Sequence, residues 1–265
     1  MGSGDLHAIR IGGHAHRYLA VRSRTGRAVS LFRCGFNVLF DERTEPAIVS
    51  IQLPAVPLHP WGLQIDELPN NPRTGCRARV DAGVLHVDGL RIALGDADLF
   101  ERKVKPYSFE ESVRARVRAP LLQVWPTAAG PCDEPVAAVV ERWRATGEDG
   151  ILLELIGLGS GSTPAGDDVL VGLIFGFTVL RWGPRLEAVR RADTGSKTHL
   201  PSAQMIAAAL DGAFPEPLYN LLRVLGEENA EESSIGELAQ QVGSLGSSSG
   251  KMMLRGLVAA LESGS

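Results

Sequence analysis

Residues 157–180 read GLGSGSTPAGDDVLVGLIFGFTVL, a glycine-rich turn that runs directly into a long apolar segment. The uncharged run from Val169 to Leu180 is the longest in the chain, yet it is shorter than the ~20 residues that cross a bilayer. The pattern therefore predicts a buried α-helix over 164–180 and no membrane span. The turn before this helix is the strongest functional signal in the sequence.

The turn has the composition of an anion site. Gly157, Gly159 and Gly161 alternate with other residues, which gives a backbone that can bring N–H groups close to a ligand. Thr163 is expected to be the N-cap, with Pro164 at the first helical position, where its missing N–H costs nothing. The positive end of the helix dipole would then face the turn and favour a negatively charged ligand.

Three other glycine-rich motifs are excluded. The turn lacks the Lys-Ser/Thr of a Walker A loop, and Pro164 occupies the third glycine position of a dinucleotide fingerprint. Thr163 likewise stands where a nucleophile elbow has its last glycine. The motif therefore indicates neither nucleotide binding nor a hydrolase with a nucleophile-elbow serine.

Two interpretations of Asp167 and Asp168 stay open. Both residues fall in the first helical turns, where the dipole stabilises negative charge and a purely structural role suffices. Alternatively, one carboxylate orients a substrate amine or holds a divalent cation such as magnesium or calcium. Consecutive residues diverge by about 100° around a helix, so both are not expected to serve one ligand directly. Asp168 is the preferred candidate if its side chain projects toward the turn.

An internal similarity points to a second, related helix start. Residues 163–173 align with residues 247–257 at a constant offset, which matches Gly166 with Gly250 and Gly172 with Gly256. Gly172 and Gly176 lie four residues apart and are costly within a helix, so we expect another helix to approach closely there. A pseudo-two-fold arrangement of the two helices would explain both observations.

The rest of the C-terminal half has helical periodicity. Residues 226–234 are acidic and are expected to form a solvated loop. We predict helices near Pro135, over Ile151 to Ile156, Ser202 to Leu210, Pro217 to Leu225, Ile235 to Val242 and Lys251 to Leu261.

The first hundred residues favour short strands separated by turn residues. Asp88-Gly89 suits a two-residue type I′ hairpin turn. The fold class is therefore α+β, with a small β domain (barrel or sandwich) at 1–125 and an α-helical domain with the glycine-rich loop at 126–265. We predict strands over Arg17 to Val21, Arg27 to Phe40, Ala47 to Leu53, Arg77 to Val80, Gly83 to Val87 and Leu90 to Ala93.

Composition narrows the function classes. The net charge of −4 excludes a basic nucleic-acid arm, so we expect no nucleic-acid partner and no membrane partner. Cys34, Cys76 and Cys132 are too few and too far apart for a disulfide framework or a Cys-x-x-Cys metal site. The N-terminus shows no secretory signal, so a cytoplasmic location is expected.

Residues 157–172 resemble the hallmark GLGxGxTPxGDDxLxG of a bacterial family, one member of which is associated with the oxamate carbamoyltransferase complex of anaerobic allantoin breakdown. The strand around Asn37 resembles an early family element, and Thr198 with Ser202 resembles a Thr/Ser-bearing helix start. The late family element, roughly Gly-x-Ser-Ser-Gly-x-Asp, is similar to residues 246–252, but Met252 occupies its acidic position.

The resemblance implies carbamoyl transfer between oxalurate and phosphate, which gives oxamate and carbamoyl phosphate. Such a loop could bind these anions and stabilise an oxyanion. From the residues of the loop, Asp168 and Thr163 are the candidate catalytic residues. No cofactor is certain, and a divalent cation, if there is one, is assigned to Asp167 or Asp168. The resemblance implies assembly with other transferase subunits. The candidate substrate-binding residues are Gly159, Gly161, Ser162, Thr163, Gly166, Asp167, Asn37, Ser248 and Ser249.

Three hypotheses follow. The chain is a transferase component that binds a small anionic metabolite, a noncatalytic assembly subunit in which the Gly/Asp motif is structural, or a stand-alone anion-binding module. The second hypothesis places the chemistry on other chains.

Overall fold

The computed structural model describes two compact units, Met1–Arg102 and Lys103–Ser265. The domain boundary predicted between residues 125 and 126 falls outside the described residues, as does Cys132. The described residues are 5–20, 23–42, 45–68, 73–102, 104, 121, 134–180, 183–225 and 231–263.

The first unit is a closed β-barrel. The nine strands in the described part of this unit form one sheet in the order β5-β4-β3-β2-β6-β7-β8-β1-β9, and an additional pairing of β5 with β1 closes eight of them into a ring. The α+β class and the small β domain predicted from the sequence are confirmed. The strands are β1 (Asp5–Gly12), β2 (Arg24–Phe32), β3 (Gly35–Phe40), β4 (Ala47–Gln52), β5 (Gly62–Ile65), β6 (Arg77–Asp81), β7 (Val84–Val87), β8 (Leu90–Ala93) and β9 (Asp98–Phe100).

The barrel follows the alternation of its strands. On β6, for example, Ala78 and Val80 are buried while Arg77 and Arg79 are exposed, as expected for a period of two residues. The hairpin between β7 and β8 turns at Asp88 and Gly89, whose φ angles of 48° and 81° are both in the left-handed region that a type I′ turn requires.

Two predictions for the β region are wrong. Arg17 to Val21 was expected to be a strand, but Gly13–Ala20 forms helix α1, which buries Ala15, Tyr18 and Leu19 at helical spacing. Arg27 to Phe40 is a hairpin rather than one strand, because β2 and β3 pair antiparallel on either side of a tight turn. The sequence also missed β1, β5 and β9.

The second unit is helical, as predicted, and its helices start and end close to the predicted limits. In the described residues no helix is long and apolar enough to span a membrane. Residues 226–230 of the predicted acidic loop lie outside the described residues, and Glu232 to Ser234 form the first turn of a helix instead of a loop. The helices are α2 (Glu134–Thr146), a 3₁₀ helix (Asp149–Leu155), α3 (Ala165–Val179), a 3₁₀ turn (Gly183–Leu186), α4 (Glu187–Arg191), α5 (Leu200–Leu210), α6 (Glu216–Leu225), α7 (Glu232–Gly243) and α8 (Ser249–Glu262).

Helix α3 is buried on all sides and packs closely against α8. A Cβ atom added at Gly172 would lie 1.9 Å from the carbonyl oxygen of Met253, and one added at Gly256 would lie 2.0 Å from that of Val169. In the sequence alignment Gly256 is the counterpart of Gly172, and Met253 is the counterpart of Val169. The contact of Gly172 with Met253 and the contact of Gly256 with Val169 are therefore equivalent, as expected if a pseudo-two-fold axis relates the two helices.

The start of α3 differs from the prediction by one residue. Helix α3 begins at Ala165, so Pro164 is the N-cap rather than the first helical residue, and no side chain caps the helix. Thr163 was expected to be the N-cap, but its hydroxyl lies 3.3 Å from the Ser249 hydroxyl of α8. The carbonyl of Pro164 accepts hydrogen bonds from the N–H groups of Asp167 and Asp168, so proline holds the first turn through its backbone.

Candidate functional site

The glycine-rich loop before α3 requires glycine at its first positions. Gly157, Gly159 and Gly161 have φ angles of 77°, 119° and 92°, a region that other L-residues rarely occupy. A Cβ at Gly157 would lie 2.2 Å from the carbonyl oxygen of Lys197, whereas a Cβ at Gly161 would meet nothing within 4 Å. Glycine at 157 therefore allows the loop backbone to pack closely against the backbone at Lys197. At 161 glycine is favoured by the backbone conformation alone, because a side chain there would meet open space.

The amides of this loop are available to a ligand. Among the described residues, the N–H groups of Gly159 to Thr163 have no protein acceptor, and the loop from Gly159 to Ser162 is exposed. Consecutive free N–H groups beside a helix N-terminus form a concave site for an anion.

Asp167 connects the loop to the segment before α5 through two hydrogen bonds. Its side chain is 1% exposed. One carboxylate oxygen accepts a hydrogen bond from the N–H of Gly157 at 2.8 Å, and the other accepts one from the hydroxyl of Thr198. Both oxygens have protein donors, which supports a structural role for this carboxylate.

Asp168 points to a different neighbour, as the 100° step of the helix predicts. Its side chain is 6% exposed, and its Oδ2 atom has no hydrogen-bond partner within the described part of the chain. Burial raises the pKa of this carboxyl group to about 7; the Ser249 hydroxyl beside it lowers the pKa and the neighbouring Asp167 raises it, both by less than burial does. Asp168 therefore faces the start of α8, whereas Asp167 contacts the loop.

Two serines at the start of α8 are predicted site residues. Ser249 lies beside Asp168, and Ser248 is exposed to solvent. Ser249 contacts Thr163 as described above, and Ser248 is the exposed N-cap of α8. Gly250 lies against the preceding chain, because a Cβ there would lie 1.7 Å from the carbonyl oxygen of Val242. The starts of α3 and α8 thus meet at Thr163 and Ser249. Met252, at the acidic position of the late motif, is buried and apolar.

A cavity of about 260 Å³ lies on the α5 side of the loop. Lys197 and His199 on its wall are exposed, and Lys197 has no carboxylate within salt-bridge distance among the residues described. Sequence reasoning missed both residues, although the run Ser196 to His199 before Pro201 is a hydroxyl-bearing, cationic helix start. The lining residues are Gly157, Gly159, Pro164, Ser196, Lys197, Thr198 and His199.

Asn37 lies in the other compact unit, on β3. Its Nδ2 donates a hydrogen bond to the Ser30 hydroxyl on β2 at 2.9 Å, and its Oδ1 is buried without a partner among the described residues. Gly166 belongs to the loop's own packing, since a Cβ there would lie 2.2 Å from the carbonyl oxygen of Leu155. Its N–H donates to Leu158, so this amide is not available to a ligand.

A family model described as oxamate carbamoyltransferase subunit AllH matches residues 155–261. This part of the chain is AllH-like. The match confirms the resemblance inferred from the sequence, and it spans the loop, both aspartates, Thr198 and the start of α8. It covers about two fifths of the chain and none of the barrel. No curated protein and no solved structure matches the chain.

The AllH-like segment does not fit a metal cage built from protein ligands. Within the described ranges, no group of three or more His, Cys, Asp or Glu side chains is placed to hold a metal ion. Asp167 uses both oxygens for protein donors and Asp168 offers one unpartnered oxygen, whereas calcium takes six to eight oxygen ligands.

The link between Asp167 and Thr198 gives a first testable prediction. We expect Thr198→Val to lower the free energy of unfolding by about 2 kcal/mol, because the buried carboxylate loses a donor that an isosteric side chain cannot replace. Thr194→Val is the matched control, since the Thr194 hydroxyl makes no hydrogen bond in the described structure, and we expect a change below about 0.5 kcal/mol. Urea unfolding measures both variants, and equal effects would contradict the assignment.

Proposed function

We propose that the chain is a subunit of a carbamoyltransferase complex, and that the loop before α3 binds a small anionic substrate such as oxalurate, carbamoyl phosphate or phosphate. The observation that carries the proposal is the row of amides from Gly159 to Thr163 beside the start of α3, which have no protein acceptor among the described residues and of which Gly159 to Ser162 are exposed. The description of the matching family, a subunit of oxamate carbamoyltransferase, supports the reaction class.

The ligand's negative charge is held from two directions. The amides of Gly159 to Thr163 and the hydroxyls of Ser162 and Thr163 act as donors, and the dipole of α3 adds positive potential. Lys197 supplies a full positive charge across the cavity of about 260 Å³. Carboxylate and phosphate oxygens suit this donor set equally well, which matches a reaction in which every substrate and product carries one of these groups.

In the forward reaction, a phosphate oxygen attacks the ureido carbon of oxalurate. The bond from this carbon to the oxamate nitrogen breaks, and the nitrogen takes up the proton that the phosphate gives up. The products are carbamoyl phosphate and oxamate, so atoms and charge balance. The loop amides would stabilise the oxyanion that forms on the attacked carbonyl.

Asp168 is the proposed proton carrier. Since burial raises its pKa to about 7, the carboxyl group exists in both protonation states near neutral pH and can accept and return a proton. Ser249 stands beside Asp168, and its hydroxyl oxygen lies 3.3 Å from that of Thr163, so these two hydroxyls can orient the leaving nitrogen.

A titration tests the anion site. We expect oxalurate and phosphate to bind saturably to the chain, and Lys197→Met to raise Kd at least tenfold because a charge-assisted contact is lost. Arg223→Met removes an exposed positive charge on α6 and is the matched control, with Kd unchanged within about twofold. Isothermal titration calorimetry gives both constants, and saturable binding that is indifferent to Lys197 would refute the proposed cavity.

The assembly role is the second candidate, and the close glycine packing of α3 on α8 favours it. Here Asp168→Asn separates the two functions, because it preserves shape and removes the proton carrier. The transferase proposal predicts loss of turnover in the complex reconstituted with its partner subunits, while the subunits still assemble. Unchanged turnover with unchanged ligand binding would support the assembly role instead.

A further inference from the structure

The outer face of the barrel carries a second cavity, separate in sequence and in unit from the loop before α3. Its volume is about 590 Å³, and its walls come mainly from strands β6 and β7 and the turns next to them. The side chains of Ala78 and Val80 fill the barrel interior, so their neighbours on β6 point outward into this cavity. The lining residues are Arg73, Thr74, Cys76, Arg77, Ala78, Arg79, His86, Asp88 and Gly89.

The strand register brings like charges together on this face. Arg77 on β6 lies directly opposite Arg27 on β2, so two guanidinium groups share one register position. Like charges at directly opposed positions destabilise a sheet. Arg27 pairs with Asp41 at 2.9 Å, which leaves the positive charge of Arg77 available to an anionic ligand.

The carboxylates on this face leave the cavity positively charged. Arg79 pairs with Asp81 at 2.5 Å and Arg73 approaches Asp88 at 3.6 Å, but Arg77 has no carboxylate partner among the described residues. Among the described residues, three arginines and one acidic residue, Asp88, line the cavity. This excess stands out on a chain whose net charge is −4.

The lining favours phosphate over other anions. Guanidinium groups present a planar fork of donors that matches phosphate oxygens, and several such groups suit several phosphates. The volume lies within the range of about 300 to 1,000 Å³ that is usual for small-molecule sites. We propose that this cavity binds the polyphosphate group of a small organic phosphate, of the size of a nucleoside diphosphate or triphosphate. The proposal does not depend on the function assigned to the loop before α3.

Inorganic tripolyphosphate and ATP are the probes. We expect both to bind the full chain, and the double variant Arg77→Gln/Arg79→Gln to raise both Kd values at least tenfold. Arg33→Gln is the matched control, because Arg33 is exposed on the same barrel but does not line the cavity. Its Kd values should stay within about twofold of the original protein. The double variant should also keep its unfolding midpoint in the absence of ligand, since both arginines are exposed and a surface ion pair such as Arg79–Asp81 contributes little to stability.

Three results would overturn the proposal. The first is absence of tripolyphosphate and ATP binding at millimolar concentration, and the second is Kd values that do not change in the double variant. The third is binding of polyglutamate without binding of either phosphate, which would identify an acidic protein partner.

Cys76 gives a test that needs no variant, because its thiol is free, half-buried and part of the lining. ATP should slow alkylation of Cys76 several-fold and leave Cys34 unaffected, and equal rates with and without ATP would contradict the site.

Discussion

Gly172→Ala is expected to destabilise the helical unit by about 3 kcal/mol or more, although alanine is the better helix former. The added Cβ would lie 1.9 Å from the carbonyl oxygen of Met253, whereas ordinary contact begins at 3.4 Å. Backbone atoms cannot rotate out of the way as a side chain can, so α3 and α8 must move apart along their interface. Overpacking of a dense core costs about 1 to 3 kcal/mol, and this backbone contact lies at the upper end.

The same substitution at Gly236 is the matched control. Gly236 lies within α7, and a Cβ there would meet nothing within 4 Å. Gly236→Ala is therefore expected to stabilise the protein by up to ~1 kcal/mol through helix propensity. Urea unfolding followed by the helical circular dichroism signal measures both effects. A Gly172→Ala protein as stable as the original would mean that the two helices do not meet at this residue.

The pseudo-two-fold extends the prediction to Gly256. Its Cβ position lies 2.0 Å from the carbonyl oxygen of Val169, so Gly256→Ala should cost about as much as Gly172→Ala. If the two changes act on one interface, the double variant should lose less than the sum of the single losses, since separating the helices once relieves both contacts. Strictly additive losses would argue for two independent contacts.

Sequence periodicity predicted the helical unit well because its helices have long, regular apolar faces. Helix α3 was found from its apolar run, and the cost of Gly172 and Gly176 correctly indicated a close helix contact. The strands of the barrel were harder to predict from the sequence. Strand β1 contains an irregularity between Ala8 and Arg10 that breaks its alternation, and all four residues of β5 are buried, which leaves no polar face to detect.

The loop of the candidate site is one continuous stretch of sequence, whereas the residues that surround it come from distant parts of the chain. The glycines and the two aspartates were identified because the motif is continuous. The environments of Asp167 and Asp168 depend on α5 and α8, which follow far along the chain, so the sequence could not tell which carboxylate is already occupied. Lys197 comes beside the loop because Thr198 binds Asp167, a contact that no periodicity encodes.

Asp168 gives the second large expected effect, a loss of stability as the pH rises. In the unfolded chain its pKa is near the ordinary value of 3.8 for an aspartate, and in the folded protein burial raises the pKa to about 7. The folded state therefore binds the proton more tightly. The resulting stabilisation is fully present below about pH 4 and is lost as the pH rises through 7. A difference of about three pKa units corresponds to on the order of 4 kcal/mol.

Asp168→Asn should remove this pH dependence, because the amide has the shape of the protonated acid and does not ionise. We expect equal stability of variant and original protein near pH 4, and a more stable variant, by on the order of 2 to 4 kcal/mol, near pH 8.5. Urea unfolding at several pH values measures the difference. Glu237→Gln is the matched control: Glu237 is exposed on α7, and its replacement should leave the pH profile unchanged.

The sign of this effect separates a functional carboxyl group from a structural one. A carboxylate that accepts protein hydrogen bonds stabilises the fold when ionised, so its amide variant would be less stable at high pH. Asp167 has donors on both oxygens, and Asp167→Asn should lower the stability because an amide nitrogen cannot accept a hydrogen bond. An Asp168→Asn protein less stable than the original near pH 8.5 would place Asp168 in the same class and remove it as proton carrier. A more stable variant without turnover would show that Asp168 is kept for chemistry at the expense of stability.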